Sequence, residues 1–275
     1  MSVEEKSHRD GLDDVHAQEL RSARLLLESP SIAVRVSSYL ATPIDRGMKL
    51  LPAGAREAIL AVTKTSLDAA LRLALSSLGD GRPQVSSLGH KAGAAAAGAL
   101  GGAFGLSALA IELPLSTTIM LRSIADIARS EGEDLNDRRA QLACLEVFAL
   151  GGPAAEDDAA ESGYFAGRAA LAAAVSDAAR YAASHGSVRQ GAPALVRLIS
   201  QIAARFSIPV TEKAAAQAVP IVGAAGGALI NTLFIDHFQD VARGHFVIRR
   251  LERLYGDAAV RAAYEALPPG RGDAD

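Results

Sequence analysis

Two long apolar stretches, residues 92–111 and 214–235, dominate the chain, and each runs directly into an acidic residue and then a polar, basic segment. The first leads into Glu112-Leu113-Pro114 and the second into Asp236-His237-Phe238-Gln239-Asp240. A bilayer crossing needs about 20 largely apolar residues, so length alone permits a membrane span in both places. Content argues otherwise. Both stretches are rich in Gly and Ala, which add little transfer free energy, and the first has only Leu100, Phe104, Leu106, Leu109 and Ile111 as large apolar residues. Small residues such as Gly93, Gly98, Gly101, Gly102 and Gly105 let helix backbones approach closely, in a soluble core as in lipid. The second stretch also carries Pro220, Gln217, Asn231 and Thr232. A buried pair of helices at the centre of a bundle is therefore the favoured reading. A shallow or re-entrant membrane hairpin is the alternative.

The rest of the composition agrees with helices. Apolar residues make up 49% of the 275, yet aromatics make up only 4% and Trp is absent. Such an Ala- and Leu-rich content suits close-packed helices better than a sandwich or barrel. Helical spacing is clearest over residues 53–78, where Ile59, Val62, Leu67, Leu71, Ala74, Leu75 and Leu78 recur on one side. Further helices are expected at 18–28, 32–40, 116–130, 137–150, 164–183, 194–206, 211–217, 249–255 and 257–267, with Asn136 as a cap. Gly151-Gly152-Pro153 with Glu156-Asp157-Asp158 reads as a loop, and no window alternates like a strand. The expected architecture is all-α: a single multi-helix bundle over residues 15–267, with two Gly/Ala-rich apolar central helices. Residues 1–14 and 268–275 lack periodicity and are expected to be disordered. A repeat of the Gly-rich, apolar, acidic order in both halves is compositional only.

Charge and cysteine content exclude several classes. A net charge of −3 leaves no global basic footprint for nucleic acid. The single Cys144 rules out an internal disulfide framework or a cysteine zinc cage, and its apolar setting reads as a small buried residue. The polar, acidic start carries no secretory or presequence signal, so a cytoplasmic location is expected, with association at the inner face of the cell membrane.

Chemistry-bearing residues gather at the acidic ends of the apolar stretches. Glu112, Asp236, His237 and Asp240 are the candidates for catalysis, and with His245 they are the candidates for holding a divalent metal. Asp236 and Asp240 share a helix face at four-residue spacing, and His237 can meet Asp240 at three. Carboxylates and imidazoles on bundle helices can ligate hard or borderline divalent cations, but neither Glu-x-x-His nor His-Glu-x-x-His occurs. Ion pairing with neighbouring arginines is the competing role. Arg243, Arg249, Arg250 and Arg253, interleaved with Phe246, Val247, Ile248 and Leu251, form a basic amphipathic run suited to an anionic membrane surface or a partner. No Gly-x-Ser-x-Gly elbow, phosphate loop or dinucleotide fingerprint is present.

These residues carry a resemblance. Glu112-Leu113-Pro114, residues 118–125 (TIMLRSIA) and Gly132-Glu133-Asp134 resemble the first signature of the EcsC protein family. Asp236-His237-Phe238-Gln239, Ala242-Arg243-Gly244-His245-Phe246 and Arg249-Arg250-Leu251-Glu252 resemble the second. With the Gly-rich segments, the likeness covers roughly residues 20 to 265. It implies an all-helical domain, membrane association and an accessory role near transport or secretion machinery, since the family is named for a gene beside an ABC exporter's subunits. It implies no catalytic residues. Two other functions stay open from the residues: a metal-dependent hydrolase using the acid and histidine cluster, and a carrier of an apolar, lipid-like ligand between Gly/Ala helices.

Overall fold

The computed structural model describes residues 12–28, 34, 35, 37, 44–78, 106–152, 163–185, 191–219 and 223–268. Among them the chain is all-helical: α1 (Asp14–Leu27), α2 (Ile44–Leu50), α3 (Ala55–Ser77), α4 (Leu106–Ser130), α5 (Arg138–Leu150), α6 (Gly163–His185), α7 (Pro193–Gln217), α8 (Gly223–Tyr255) and α9 (Asp257–Glu265). They pack as a bundle around α5, in which every residue from Ala140 to Ala149 is buried. A helix buried all round belongs at the centre of a domain, and α3, α6, α7 and α8 enclose this one.

The scarce aromatic residues are concentrated rather than spread. Phe148, Phe206, Phe234 and Phe238, from α5, α7 and α8, meet with ring centroids 4.9 to 6.0 Å apart and are wholly buried. A smaller core lies where α1, α6, α8 and α9 converge on Leu20, Phe165, Leu251 and Tyr264. Cys144 is buried in α5, and burial pushes its thiol up to about 12, so it behaves as a small apolar side chain.

Local signals explain the helix ends. Asp13 caps α1 by accepting from the His16 amide at 2.8 Å. The cap of α5 is Asp137, accepting from the Arg139 amide at 3.0 Å. The expected Asn136 instead donates to Asp134 at 2.9 Å. Gly132, at φ 80°, closes α4 in a Schellman arrangement, with Glu133 N donating to Ala128 O and Gly132 N to Arg129 O.

Three expectations change in the same direction. The helix expected at 116–130 begins at Leu106 and passes through Pro114; those at 194–206 and 211–217 are one helix through Pro209; and 249–255 is the end of the 33-residue α8, about 50 Å long. Packing of the inner faces, with Leu113, Ser116 and Thr117 buried around Pro114 and Pro209 itself buried, holds the proline-interrupted turns together against the local preference for a break. Residues 214–235 form no single span, because α7 ends at Gln217 and α8 starts at Gly223. Among the described residues no helix is long and apolar enough to cross a membrane. Residues 92–105 of the first stretch, most of the expected helix at 32–40 and nearly all of both expected disordered termini lie outside the described residues.

Candidate functional site

Glu112 points into the bundle from the first turns of α4. It is 4% exposed and meets Lys213 of α7, whose Nζ donates to its Oε1 at 2.5 Å. The same ammonium donates to Asn231 Oδ1 of α8 at 2.6 Å and lies 4.7 Å from the Phe234 ring centroid. Gln217 Nε2 donates to the second Glu112 oxygen at 3.4 Å. Burial lowers the Lys213 pKa, and the charge and hydrogen bond of Glu112 work against that shift. This buried centre ties three helices together. Sequence reasoning found Glu112 and missed Lys213, although a lysine inside the Ala-rich end of a helix, with an acid at its side, is the kind of charge that needs a partner.

The other acid and histidine candidates sit on α8 and turn to different partners. Asp240 accepts from Arg35 Nη2 and Arg243 Nη1, each at 3.0 Å. His237 is buried and donates from Nε2 to the Gly151 carbonyl at 2.7 Å. Burial lowers its pKa, opposed by that hydrogen bond. Asp236 is half-buried beside it. His245 is wholly buried with Nδ1 2.9 Å from the Tyr164 hydroxyl, while Arg168 donates to that hydroxyl oxygen at 3.3 Å. Burial first, then the charges of Arg168 and Arg249, hold His245 well below the ordinary histidine range and neutral. Among the described residues no group of three or more His, Cys, Asp or Glu side chains is placed to hold a metal ion. The geometric reason is divergence: Glu112, His237, Asp240 and His245 each engage a different neighbour.

The basic run of α8 is largely folded back on the protein. Arg249 grips Glu133 in a bidentate pair at 2.9 and 3.0 Å, and Arg253 also bonds that carboxylate. Arg250 pairs with Glu131 at 2.8 Å and Glu19 at 2.9 Å. Burial alone would raise the Glu133 pKa, but the hydrogen bond and charge of Arg249, with Arg253, bring it below the usual carboxylate range. These arginines clamp the turn after α4, and α1, to α8. Arg243, 43% exposed at its side chain, is the most open of the four together with Arg253.

An open cleft of about 720 Å³ lies between α5, α6, α8 and α9. Arg139 and Glu146 reach it from α5, Arg168 from α6, Arg249 and Glu252 from α8. Arg168 and Glu252 form a bidentate pair at 2.6 and 3.0 Å. Glu146 is buried and makes no hydrogen bond or ion pair among the described residues. Its signal in the sequence was an acid inside the otherwise uncharged run 140–150, on a helix with no polar face.

The model of the EcsC protein family matches residues 39–251, a span that holds the first signature segment, the second as far as Leu251, and the buried Glu112–Lys213 centre. No curated protein and no solved structure matches the chain.

Proposed function

The chain belongs to the EcsC protein family, and from that premise we propose that it is an accessory protein, not a catalyst, acting at a membrane surface near transport or secretion machinery. The observation that carries this reading is the outer face at the start of α4. Ile111 is 79% exposed and Leu115, one turn on, is 49% exposed, while Glu112 between them is turned inward. Side chains four apart share a helix face, so these two form an uncovered apolar patch. The Gly/Ala-rich residues 92–105 lead straight into it. An apolar patch on a helix that follows an apolar stretch of sequence suits insertion into the headgroup and acyl boundary of a bilayer. The arginines of α8 are engaged with Glu19, Glu131, Glu133 and Asp240, and they hold α1 and the turn after α4 to α8.

Vesicle flotation tests the proposal with the full chain and liposomes containing anionic lipid. The wild type floats, and the double variant Ile111→Glu/Leu115→Glu loses vesicle partition by about tenfold or more, as expected from removing two apolar side chains from the contact. Its thermal unfolding stays close to wild type, since both positions are exposed. A wild type that stays with the soluble fraction at every lipid composition, or a variant that floats equally well, overturns the reading.

A further inference from the structure

Glu146 is a buried acid that the rest of the molecule leaves unused. It is 7% exposed, it lines the cleft, and the two nearest arginines are committed elsewhere: Arg168 to Glu252 and Arg249 to Glu133. Burial raises its pKa, with Arg168 and Arg249 opposing and Glu252 reinforcing, so the carboxyl holds its proton above the ordinary carboxylate range. A protonated carboxyl is a hydrogen-bond donor. Beside Glu146, the charged side chains lining the cleft are Arg139, Arg168, Arg249, Arg261, Glu252 and Asp257; Arg168, Arg249 and Arg261 are paired with Glu252, Glu133 and Glu265, which leaves Arg139 as the lining cation without an ion pair among the described residues.

Two further features favour an anion. Arg139 is exposed at the cleft and makes no side-chain ion pair among the described residues. The first turn of α9, whose Asp257 and Ala258 line the cleft, starts at Gly256 without a side-chain cap, so its amides are available to a ligand. The Asp257 carboxylate stands at the same helix end and competes for those amides. The remaining wall is apolar: Ala143, Phe165, Ala169, Ala172 and Val175. The volume falls within the range of small-molecule sites.

We propose that this cleft binds a small organic acid, a single carboxylate carried on an apolar body. The ligand carboxylate accepts a hydrogen bond from Glu146 and faces Arg139 and the first turn of α9, and its apolar body lies along the alanine, valine and phenylalanine wall. An amine of the same shape meets the Arg139 cation in place of a counter-charge, so it binds more weakly.

Isothermal titration of the full-length protein with decanoate below its micelle concentration, and with decylamine as the opposite-charge probe, tests the site. Decanoate binds, more tightly at mildly acidic than at mildly alkaline pH, because Glu146 donates only while protonated. Glu146→Gln keeps a donor in nearly the same shape, so it retains affinity within about threefold and loses that pH dependence. Glu146→Leu and Arg139→Ala each lose about tenfold or more, the scale of a hydrogen bond to a charged group. The Ile111→Glu/Leu115→Glu variant binds decanoate as the wild type does, which separates this site from the membrane contact. Absence of decanoate binding, equal affinity in Glu146→Leu and wild type, or decylamine binding that Glu146→Gln abolishes overturns the proposal.

Discussion

Lys213 shows what one residue costs and holds. Its ammonium is fully buried, and it is matched by Glu112 and Asn231 with short hydrogen bonds and by the face of Phe234. Removing one partner strands the other. Glu112→Gln leaves a buried amine without its counter-charge and Lys213→Met leaves a buried carboxylate; each is expected to destabilise by about 3–5 kcal/mol in urea unfolding. The double variant loses less than the sum of the two, because neither charge is then left alone. Strictly additive losses would mean that the pair does not act as a unit. Neither residue type nor spacing in the chain pairs these two, which are 101 residues apart. Glu112 stood out because a proline follows two residues later; Lys213, inside the Ala-rich end of a helix, calls for a partner without indicating which one.

At the scale of the element, α1 is seated on α8 through a glycine. A Cβ placed at Gly244 would lie 2.7 Å from Leu27 Cγ and 2.8 Å from the Ala23 carbonyl oxygen. The backbone atom cannot step aside without moving α1. Gly244→Ala is expected to lower stability by about 1–3 kcal/mol through overpacking, against the usual gain from replacing a helical glycine. Equilibrium denaturation checks the sign, and a stabilised variant would refute the close approach. The lengths of α4, α7 and α8 follow from the same source. Pro114 and Pro209 argue locally for breaks, and burial of the surrounding turns overrides them. Where local chemistry had no competitor, the reading held: α4 ends at Ser130 and the apolar stripe of α3 lies where it was expected, whereas α1 begins at Asp14, ahead of the expected start at residue 18.

For the whole molecule, the clamp between the turn after α4 and α8 contributes to stability against acid. Arg249 and Arg253 hold the Glu133 carboxyl below its ordinary range. A group depressed in the folded state contributes stability that is complete above its unfolded pKa and is lost as pH falls through the folded one. Wild-type stability therefore declines on acidification below the usual carboxylate range. Glu133→Gln is less stable than wild type at neutral pH, and the gap narrows toward acid; chemical unfolding across that pH series measures it. A gap independent of pH would assign the loss to packing.

Helix content, the apolar stripe of α3, the end of α4 and the two signature segments were legible in the sequence, because helical hydrogen bonds, caps and periodic apolar faces act over a few residues. Of the two Gly/Ala-rich stretches, residues 92–105 lie outside the described residues and 214–235 is divided between the end of α7 and the start of α8; no described helix has the apolar length to cross a membrane. Pairing of Asp240 with the neighbouring Arg243 was among the readings of the sequence; tertiary structure decided the rest of what the acidic ends of those stretches do. It turned Glu112 toward a lysine and Asp240 toward Arg35 as well, gave His237 a carbonyl and His245 a tyrosine, and left Glu146 unpaired in a cleft. Such partners come from helices brought together across 100 residues or more in several cases, as with Glu133 and Arg249, 116 apart. Their pairing is set by how apolar faces dock, and no local pattern along the chain encodes which charge will face which.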